Sequence, residues 1–523
     1  LDGIPLAIEL AAARVRSMSP ADLVARLDQR FKLLTRGSRA AMERHQTLRS
    51  TIDWSYGLLD VTERRVLDRL SVFAGGCDLS AAEDVIVDDE LDTFQVDDLL
   101  TRLIDKSLVV AGIDPSTGAV RYRLLESIRQ YAQEQLEGSG ETAELRRRHA
   151  DHYVARAERA HGPLRGSSPE EWIAAARREV DNFRAALDWS VEVVSPDHAL
   201  RLIAPMTLHG SVGEPALEWS ATACTIPGAS DHALYPVVAG WASWSATRVL
   251  DFERAEAFAV KGRDAEERLG VRHPTMARAW ATLEFYRGDL ESSGEHAREW
   301  VALARALDDQ YELPHALAML GGALYSAGRI DEAVVELDEA VRVARAYGID
   351  DALAFPLLFL VDHLAVEDPE RALALVDEAI EVTTRIGVPM GLANAIGAKG
   401  LLAMRRGDWV VALTALSDAL DVSRQIGDLA NGCASLYGAA VALSHLDGFE
   451  SAAVLTGKAE SLGVRGGPEW IEELVAAHYD TLREQLGDPT FDELAARGAA
   501  LGFTEAARYL RSETERVLGG FDG

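Results

Sequence analysis

Two histidines, His149 and His152, stand three residues apart in the run Arg146-Arg147-Arg148-His149-Ala150-Asp151-His152, a spacing that shares one helix face. Such a pair begins a metal site only when further ligands join it. The sequence places no third ligand, so a solvated basic helix face is expected here, free to meet an acidic neighbour, and no metal. Gly37-Ser38 and Gly210-Ser211 lack the strand-turn-helix context of a nucleophile elbow. No Ser-His-Asp or Cys-His arrangement can be argued. The acidic runs Asp88-Asp89-Glu90 and Asp97-Asp98 read as helix-start charges favoured by the helix dipole. No Gly-x-x-x-x-Gly-Lys-Ser/Thr loop occurs to cradle a phosphate. No catalytic residue is expected in this chain, and no enzyme activity of its own.

The elements around these residues are mostly helical. Near the start, Ile8, Ala11, Ala12 and Val15 keep an apolar face at helical spacing, and Ser19-Pro20 opens a second helix striped by Leu23, Leu27 and Phe31. Helices are expected near 46–59, 62–73 and 95–105. Strands are expected at 107–111 and 119–124 around the turn Asp114-Pro115-Ser116-Thr117-Gly118, then a helix over 126–136. Three helices followed by a β-hairpin is the layout of a winged helix. Its candidate recognition helix, Gln95 to Asp105, carries Asp97, Asp98 and Asp105 against Arg102, a balance that repels a duplex. Direct DNA binding is therefore not expected. Between 138 and 235 helices are interrupted at Gly162-Pro163, Ser195-Pro196 and Pro227-Gly228, with Trp172 and Trp189 as packing anchors.

From about 236 a repeat sets in. Turns recur at Asp251-Phe252, Asp289-Leu290, Arg329-Ile330, Asp368-Pro369, Asp408-Trp409 and Gly448-Phe449, in steps of 38, 40, 39, 40 and 40 residues. Each is followed by a helix ending at Leu269-Gly270, Leu307-Asp308, Tyr347-Gly348, Ile386-Gly387, Ile426-Gly427 or Leu462-Gly463. Four residues after each turn's first member come Ala255, Ser293, Ala333, Ala372, Ala412 and Ala452. Seven further on come Gly262, Trp300, Ala340, Ala379, Ala419 and Ala459. Small residues in two columns on one face let paired helices cross closely. Trp300 breaks the second column, so that pair is expected to splay or to be capped differently. The unit, helix-turn-helix, is TPR-like.

Composition sets the bounds. The 523 residues are 48% hydrophobic and 26% charged, with only 7% aromatic, which suits helices packed on helices. A formal net charge of -31 argues against a uniform nucleic-acid coat. Cys77, Cys224 and Cys433 are far apart and read as free thiols in a reducing cytoplasm. No apolar run is long enough and free enough of charge to span a membrane, and no signal peptide is seen.

The opening Gly3-Ile4-Pro5-Leu6-Ala7 resembles the Gly-Leu-Pro-Leu-Ala motif of NB-ARC and related STAND NTPases. The similarity continues through Leu48-Arg49-Ser50-Thr51-Ile52-Asp53-Trp54-Ser55-Tyr56, Leu70-Ser71-Val72-Phe73-Ala74-Gly75-Gly76, Asp105-Lys106-Ser107-Leu108-Val109 and the segment Tyr122 to Ala132. These segments are similar to those of large bacterial regulators of this class, and the likeness covers roughly residues 1–190. The resemblance implies that Pro5 lies against the adenine of a nucleotide, ATP or ADP, in the intact protein. It also marks departures. The phosphate loop is missing, Leu125 stands where plant-type members place a phosphate-contacting histidine, and no LuxR-type output helix-turn-helix is recognisable.

The expected fold is mainly α, a winged-helix module followed by a TPR-like right-handed α-solenoid. Its expected domains are the tail of an NTPase helical domain (1–45), the winged helix (46–137), a helical connector (138–235), the repeats (236–463) and a C-terminal helical cap (464–523). The expected role is the regulatory and sensor portion of a STAND-type, ATP-dependent transcriptional regulator, read as a fragment of a longer protein. Its partners would be an upstream nucleotide-binding domain and a protein or small-molecule inducer on the repeat groove. The alternatives are the tail of a cyclase- or ATPase-containing enzyme and a stand-alone TPR scaffold.

Overall fold

The computed structural model describes residues 49–113, 118–164, 170–206, 214–463 and 469–519. The chain forms two compact units, one of residues up to Ala155 together with Glu179–Trp189, the other of Arg156–Arg178 and Ser190 onward.

In the first unit, helical turns over 49–57 (α1) lead to α2 (Val61–Leu70), strand β1 (Cys77–Asp78), α3 (Leu79–Ile86) and α4 (Thr93–Asp105). Strands β2 (Val110–Ile113) and β3 (Val120–Arg123) follow, then α5 (Glu126–Ser139). Capping boxes start α2 and α4. Asp60 and Asp92 accept from the backbone N–H of Glu63 and Gln95, whose side chains accept from the cap N–H in return. The face of α4 formed by Val96, Leu99, Leu100 and Leu103 is buried, at the spacing that turns one helical stripe inward. The three strands are antiparallel in the order β1-β3-β2, with Cys77 opposite Tyr122 and Val110 opposite Arg123. Four details depart from the sequence expectation. The helix α3 and the strand β1 were not foreseen, α2 stops at Leu70, and β2 begins at Val110 because Ser107 takes a left-handed backbone, φ 58°.

The helix α6 (Thr142–Leu164) is followed by α7 (Glu170–Arg178), α8 (Val180–Glu192), α9 (Pro196–Ile203) and α10 (Glu214–Thr225). Trp189 is buried, whereas Trp172 is 36% exposed and anchors less than the sequence suggested.

Six helix pairs then run over Tyr235–Ser461, all within described residues. They are α11 (Tyr235–Arg248) with α12 (Phe252–Leu269), α13 (Pro274–Arg287) with α14 (Leu290–Ala306), and α15 (Glu312–Ser326) with α16 (Ile330–Tyr347). Next come α17 (Ala354–Glu367) with α18 (Pro369–Ile386), α19 (Pro389–Arg406) with α20 (Trp409–Gln425), and α21 (Leu429–His445) with α22 (Phe449–Ser461). Each second helix starts where the repeat places it. Asp251, Asp289, Arg329, Asp368, Asp408 and Gly448 are its N-caps, and three of the aspartates accept a backbone N–H three residues on. Each ends on a left-handed residue. Five are glycines, and Asp308 takes φ 50° at the sixth. Both small-residue columns are buried, with Ala255, Ala333, Ala372, Ala412 and Ala452 at 0% exposure. Trp300 is 2% exposed, and its indole N–H donates to Glu312 at 2.9 Å, so the exceptional column member has a seat of its own.

Helices α23 (Glu469–Leu486), α24 (Asp488–Ala499) and α25 (Phe503–Gly519) complete the unit. Where α22 meets α24 the backbones touch. A Cβ added at Gly498 would lie 1.8 Å from the Val454 carbonyl oxygen, and one at Gly457 would lie 2.0 Å from that of Ala495. No flexible side chain is there to yield. Gly498→Ala should therefore cost at or above the upper end of the ~1–3 kcal/mol of ordinary overpacking, and Ala412→Trp a value within it. Urea denaturation beside Arg424→Lys measures both. Parental midpoints would mean that these helices cross elsewhere.

Candidate sensor cavity

The nucleotide-side residue Pro5 lies outside the described residues. Leu125 is the half-buried N-cap of α5 and makes no side-chain capping bond. Among the described residues, no group of three or more His, Cys, Asp or Glu side chains is arranged to hold a metal.

The histidine pair is a correction. His149 and His152 are 2% and 6% exposed, on the inward face of α6 with Leu145 and Tyr153, not on a solvated basic face. His149 packs against the Phe73 and Tyr153 rings and lies 3.4 Å from the Asn182 amide oxygen, and His152 Nδ1 is 2.9 Å from Asp84. Burial pushes the His149 pKa down to about 4, against a weaker upward pull from Asn182. An unfolded histidine titrates near ~6.5. Between those values the unfolded chain binds a proton that the folded chain refuses, so this group's contribution falls as pH drops from ~6.5 toward about 4. His149→Phe should flatten the dependence of the urea midpoint on pH across that window. An unchanged slope would contradict the assignment.

The acidic run at 88–90 is likewise a partner for cations rather than a helix-start charge. Arg69, 4% exposed, binds Asp88 and Glu141 and donates to the Ile86 carbonyl at 2.6 Å, and Arg65 joins both carboxylates.

The second unit holds the arrangement with the most chemistry. The first helices of five successive pairs converge on one cavity of about 110 Å³. Helix α11 contributes Trp241, Trp244 and Arg248, spaced to share a face, and α13 contributes Arg278, Thr282 and Tyr286 in the same way. His315 comes from α15, Phe355 from α17, Met390 and Asn394 from α19. The Arg278 guanidinium carbon sits 4.6, 5.7 and 5.2 Å from the ring centroids of Trp241, Trp244 and Trp300, within reach of cation–π attraction to all three. Its nearest carboxylate oxygen, on Glu312, is 3.9 Å from Nη1. Tyr311 donates to Asp351 at 3.0 Å, and His315 Nε2 lies 3.2 Å from the same carboxylate. Burial, then the nearby Asp351 charge, raises the Tyr311 pKa well above the phenol range.

One side of the cavity is a clasp. Arg248 Nη2 pairs with Asp428 and Nη1 with the Tyr286 hydroxyl, all three groups being buried or nearly so. Asp428 is the N-cap of α21, accepting from Asn431 N–H at 3.1 Å. The pair joins residues 180 positions apart, so the repeat array curls until its first and sixth pairs meet. Periodicity placed the helices but could not name these residues, because the turn of the array that brings them together is not written in the repeat. The one local signal was the misfit Trp300.

Residues 59–137 match the family described as a winged helix-turn-helix domain. Over 430 residues the chain is 36% identical to a protein of Mycobacterium tuberculosis (strain H37Rv) named "Putative HTH-type transcriptional regulator", covering 82% of this chain and 44% of that one. A protein of the same name from Mycobacterium bovis matches with the same figures. An uncharacterized Mycobacterium tuberculosis protein is 44% identical over 153 residues, covering 29% of this chain and 38% of that one. The chain thus spans less than half the length of the curated relatives it matches. Among solved structures, a STAND protein with a tetratricopeptide repeat sensor from Pyrococcus horikoshii aligns at TM-score 0.40 and 14% identity, over 94% of this chain and 74% of that one. A Rap protein complexed with Competence and Sporulation Factor aligns at 0.47 and 14%, over 68% and 93%. The chain combines a winged-helix domain with a region of paired, TPR-like helices, and no described helix is long and apolar enough to cross a membrane.

Proposed function

We propose that this chain is the regulatory and sensor portion of a STAND-type, ATP-dependent transcriptional regulator in the cytoplasm. An inducer occupies the repeat cavity, a nucleotide-binding domain upstream holds ATP or ADP with Pro5 on the adenine side, and the chain itself catalyses nothing. The observation that carries the sensor role is the convergence of five successive first helices on one aromatic, arginine-bearing cavity. Ligand pockets are concave and mostly apolar with a few fixed polar groups, and this one is built that way. The relatives' name supports the transcriptional setting.

Thermal melts of residues 1–523 against neutral, cationic and anionic metabolites and short peptides test the sensor role. A cavity ligand raises the Tm of the parent, by ~2.7 kcal/mol of added stability at a hundredfold excess over Kd. It should not raise that of Met390→Trp, whose indole fills the space beside half-buried Met390. No shift with any compound would count against the reading.

The match to a winged helix-turn-helix favours a second reading, direct DNA binding. The exposed face of α4 speaks for a lever instead. It presents Asp97, Asp98 and Asp105, and its arginine, Arg102, is tied to Asp98 at 2.6 Å. Phe94 on the same helix is 88% exposed, a side chain suited to protein rather than phosphate contact. A gel shift with the full chain at low salt, where electrostatic binding is strongest, should show no complex. A salt-sensitive complex would replace the lever with a DNA reader.

A further inference from the structure

We infer that helix α7 is a latch, held in a releasable seat on the repeat core, and that its release loosens the winged-helix unit through Glu179; this rests on the sensor reading above. One face of α7 makes the seat. Ile173 is 1% exposed, and Ala176, three residues on, is buried with it. Ile173 belongs to the same contiguous core as Trp241, Trp244, Trp300, Tyr311 and Val388, five residues that also line the cavity. Four residues after Ile173, on the same face, Arg177 donates to the Gly387 carbonyl at 2.9 Å. Gly387 is the C-cap of α18, and the residue after it is the cavity wall Val388. Seat and cavity thus share a core and a turn. The opposite face of α7 carries Glu171 and Trp172, both exposed.

Two properties make α7 a switch rather than a strut. It has nine residues, fewer than the ~12–15 that an isolated helix needs to persist in water, so it is helical only while seated. Its C-terminal end is also tied elsewhere. Helix α7 stops at Arg178 and α8 starts at Val180, which leaves Glu179 as the single residue of the turn between them. The chain passes from the second unit to the first at this point. Glu179 is 2% exposed and is the carboxylate that Arg121, Tyr153 and Asn182 hold, at 2.6, 2.9 and 2.8 Å. A one-residue turn leaves no slack, so the seated helix fixes the direction in which Glu179 enters its network. When α7 unwinds, Glu179 becomes the end of a loose segment, and its three donors hold a less fixed acceptor. Such coupling is reciprocal, so whatever loosens the Glu179 network must also loosen α7. An occupant larger than the resting cavity of about 110 Å³ presses on the Gly387–Val388 turn, and a close-packed core passes the strain to the seat.

Hydrogen exchange of the full chain, read by mass spectrometry, tests the latch without an inducer. Ile173→Asp puts a carboxylate into the apolar seat and should speed exchange over 170–178 by ~tenfold or more. Exchange around 74–76 and over 179–189 should rise with it, while α21 and α22 keep the parental rates. Should Ile173→Asp misfold, Arg177→Ala removes a single hydrogen bond of an exposed side chain and should raise the same segments to a smaller extent. Reciprocity supplies the readout that a merely structural helix would not give. Arg121→Met, a change in the winged-helix unit, should also speed exchange over 170–178. Met390→Trp, which fills the cavity, should do the same from the sensor side. A released α7 with parental exchange at 74–76 and 179–189 overturns the latch. So does parental exchange over 170–178 in Arg121→Met or in Met390→Trp. Neither result touches the sensor reading, which fails only if no compound shifts the Tm of the parent.

Discussion

Arg248→Met should destabilise the repeat unit by ~3–5 kcal/mol, the usual cost of removing one partner from a buried ion pair. The substitution keeps an apolar stem but removes the guanidinium, leaving Asp428 buried without its cation and Tyr286 without its donor. Asp428→Leu should cost at least as much, because it also removes the N-cap of α21, a feature commonly worth ~1 kcal/mol. The double variant should recover much of the loss, since well-packed apolar replacements for a buried pair are often neutral. Urea denaturation of the four proteins gives the coupling energy directly. Because the pair is out of solvent, the coupling should change little with added salt. Hydrogen exchange should rise at both ends of the array, near 248 and near 428. Independent, additive losses would mean that the two ends are not held by this clasp.

Arg121→Met should cost the first unit a similar ~3–5 kcal/mol. Glu179 is 2% exposed, and Arg121 is its cation, at 2.6 Å through Nη1. The same guanidinium donates to the carbonyls of Gly75 and Gly76 from β3, while Tyr153 and the Asn182 amide donate to Glu179 at 2.9 and 2.8 Å. Asn182 also reaches back, accepting from Ala74 N–H at 3.0 Å and donating to the Gly76 carbonyl at 2.9 Å. This network is what groups Glu179–Trp189 with the winged helix. Its loss should appear as faster hydrogen exchange across 179–189 and around 74–76. Gln in place of Glu179 together with Met at Arg121 should be milder than Arg121→Met alone. If Arg121→Met leaves exchange over 179–189 unchanged, the network does not hold that helix.

How much of this was written locally is clear from particular residues. The repeat turns were legible to the residue because capping is a local event. Asp251, Asp289 and Asp368 accept their own N–H groups three residues on, and glycine ends most second helices where φ must be positive. The small columns were legible because the spacing of seven holds on any straight helix. The strand β1 was not, since two residues have no periodicity, and α3 was missed although Asp78 caps it through Ala81 N–H. His149 and His152 were misjudged because three preceding arginines mark a solvated helix, yet the opposite face of that helix is buried. Neither cavity nor clasp was legible. Both depend on how far each pair rotates against the next, and Trp241 and Asn394, or Arg248 and Asp428, become neighbours only after that rotation has accumulated.

Transcript profiling of the host shows whether occupancy of the repeat cavity sets the state of a transcriptional regulator, as proposed. Three strains are compared, one with the intact gene, one with its deletion, and one with Met390→Trp in the otherwise intact gene at parental protein abundance. In conditions where the deletion changes transcript levels, Met390→Trp should depart from the parent at the same genes, because the cavity is filled. A parental profile in every such condition, from a stable and fully expressed variant, would contradict it.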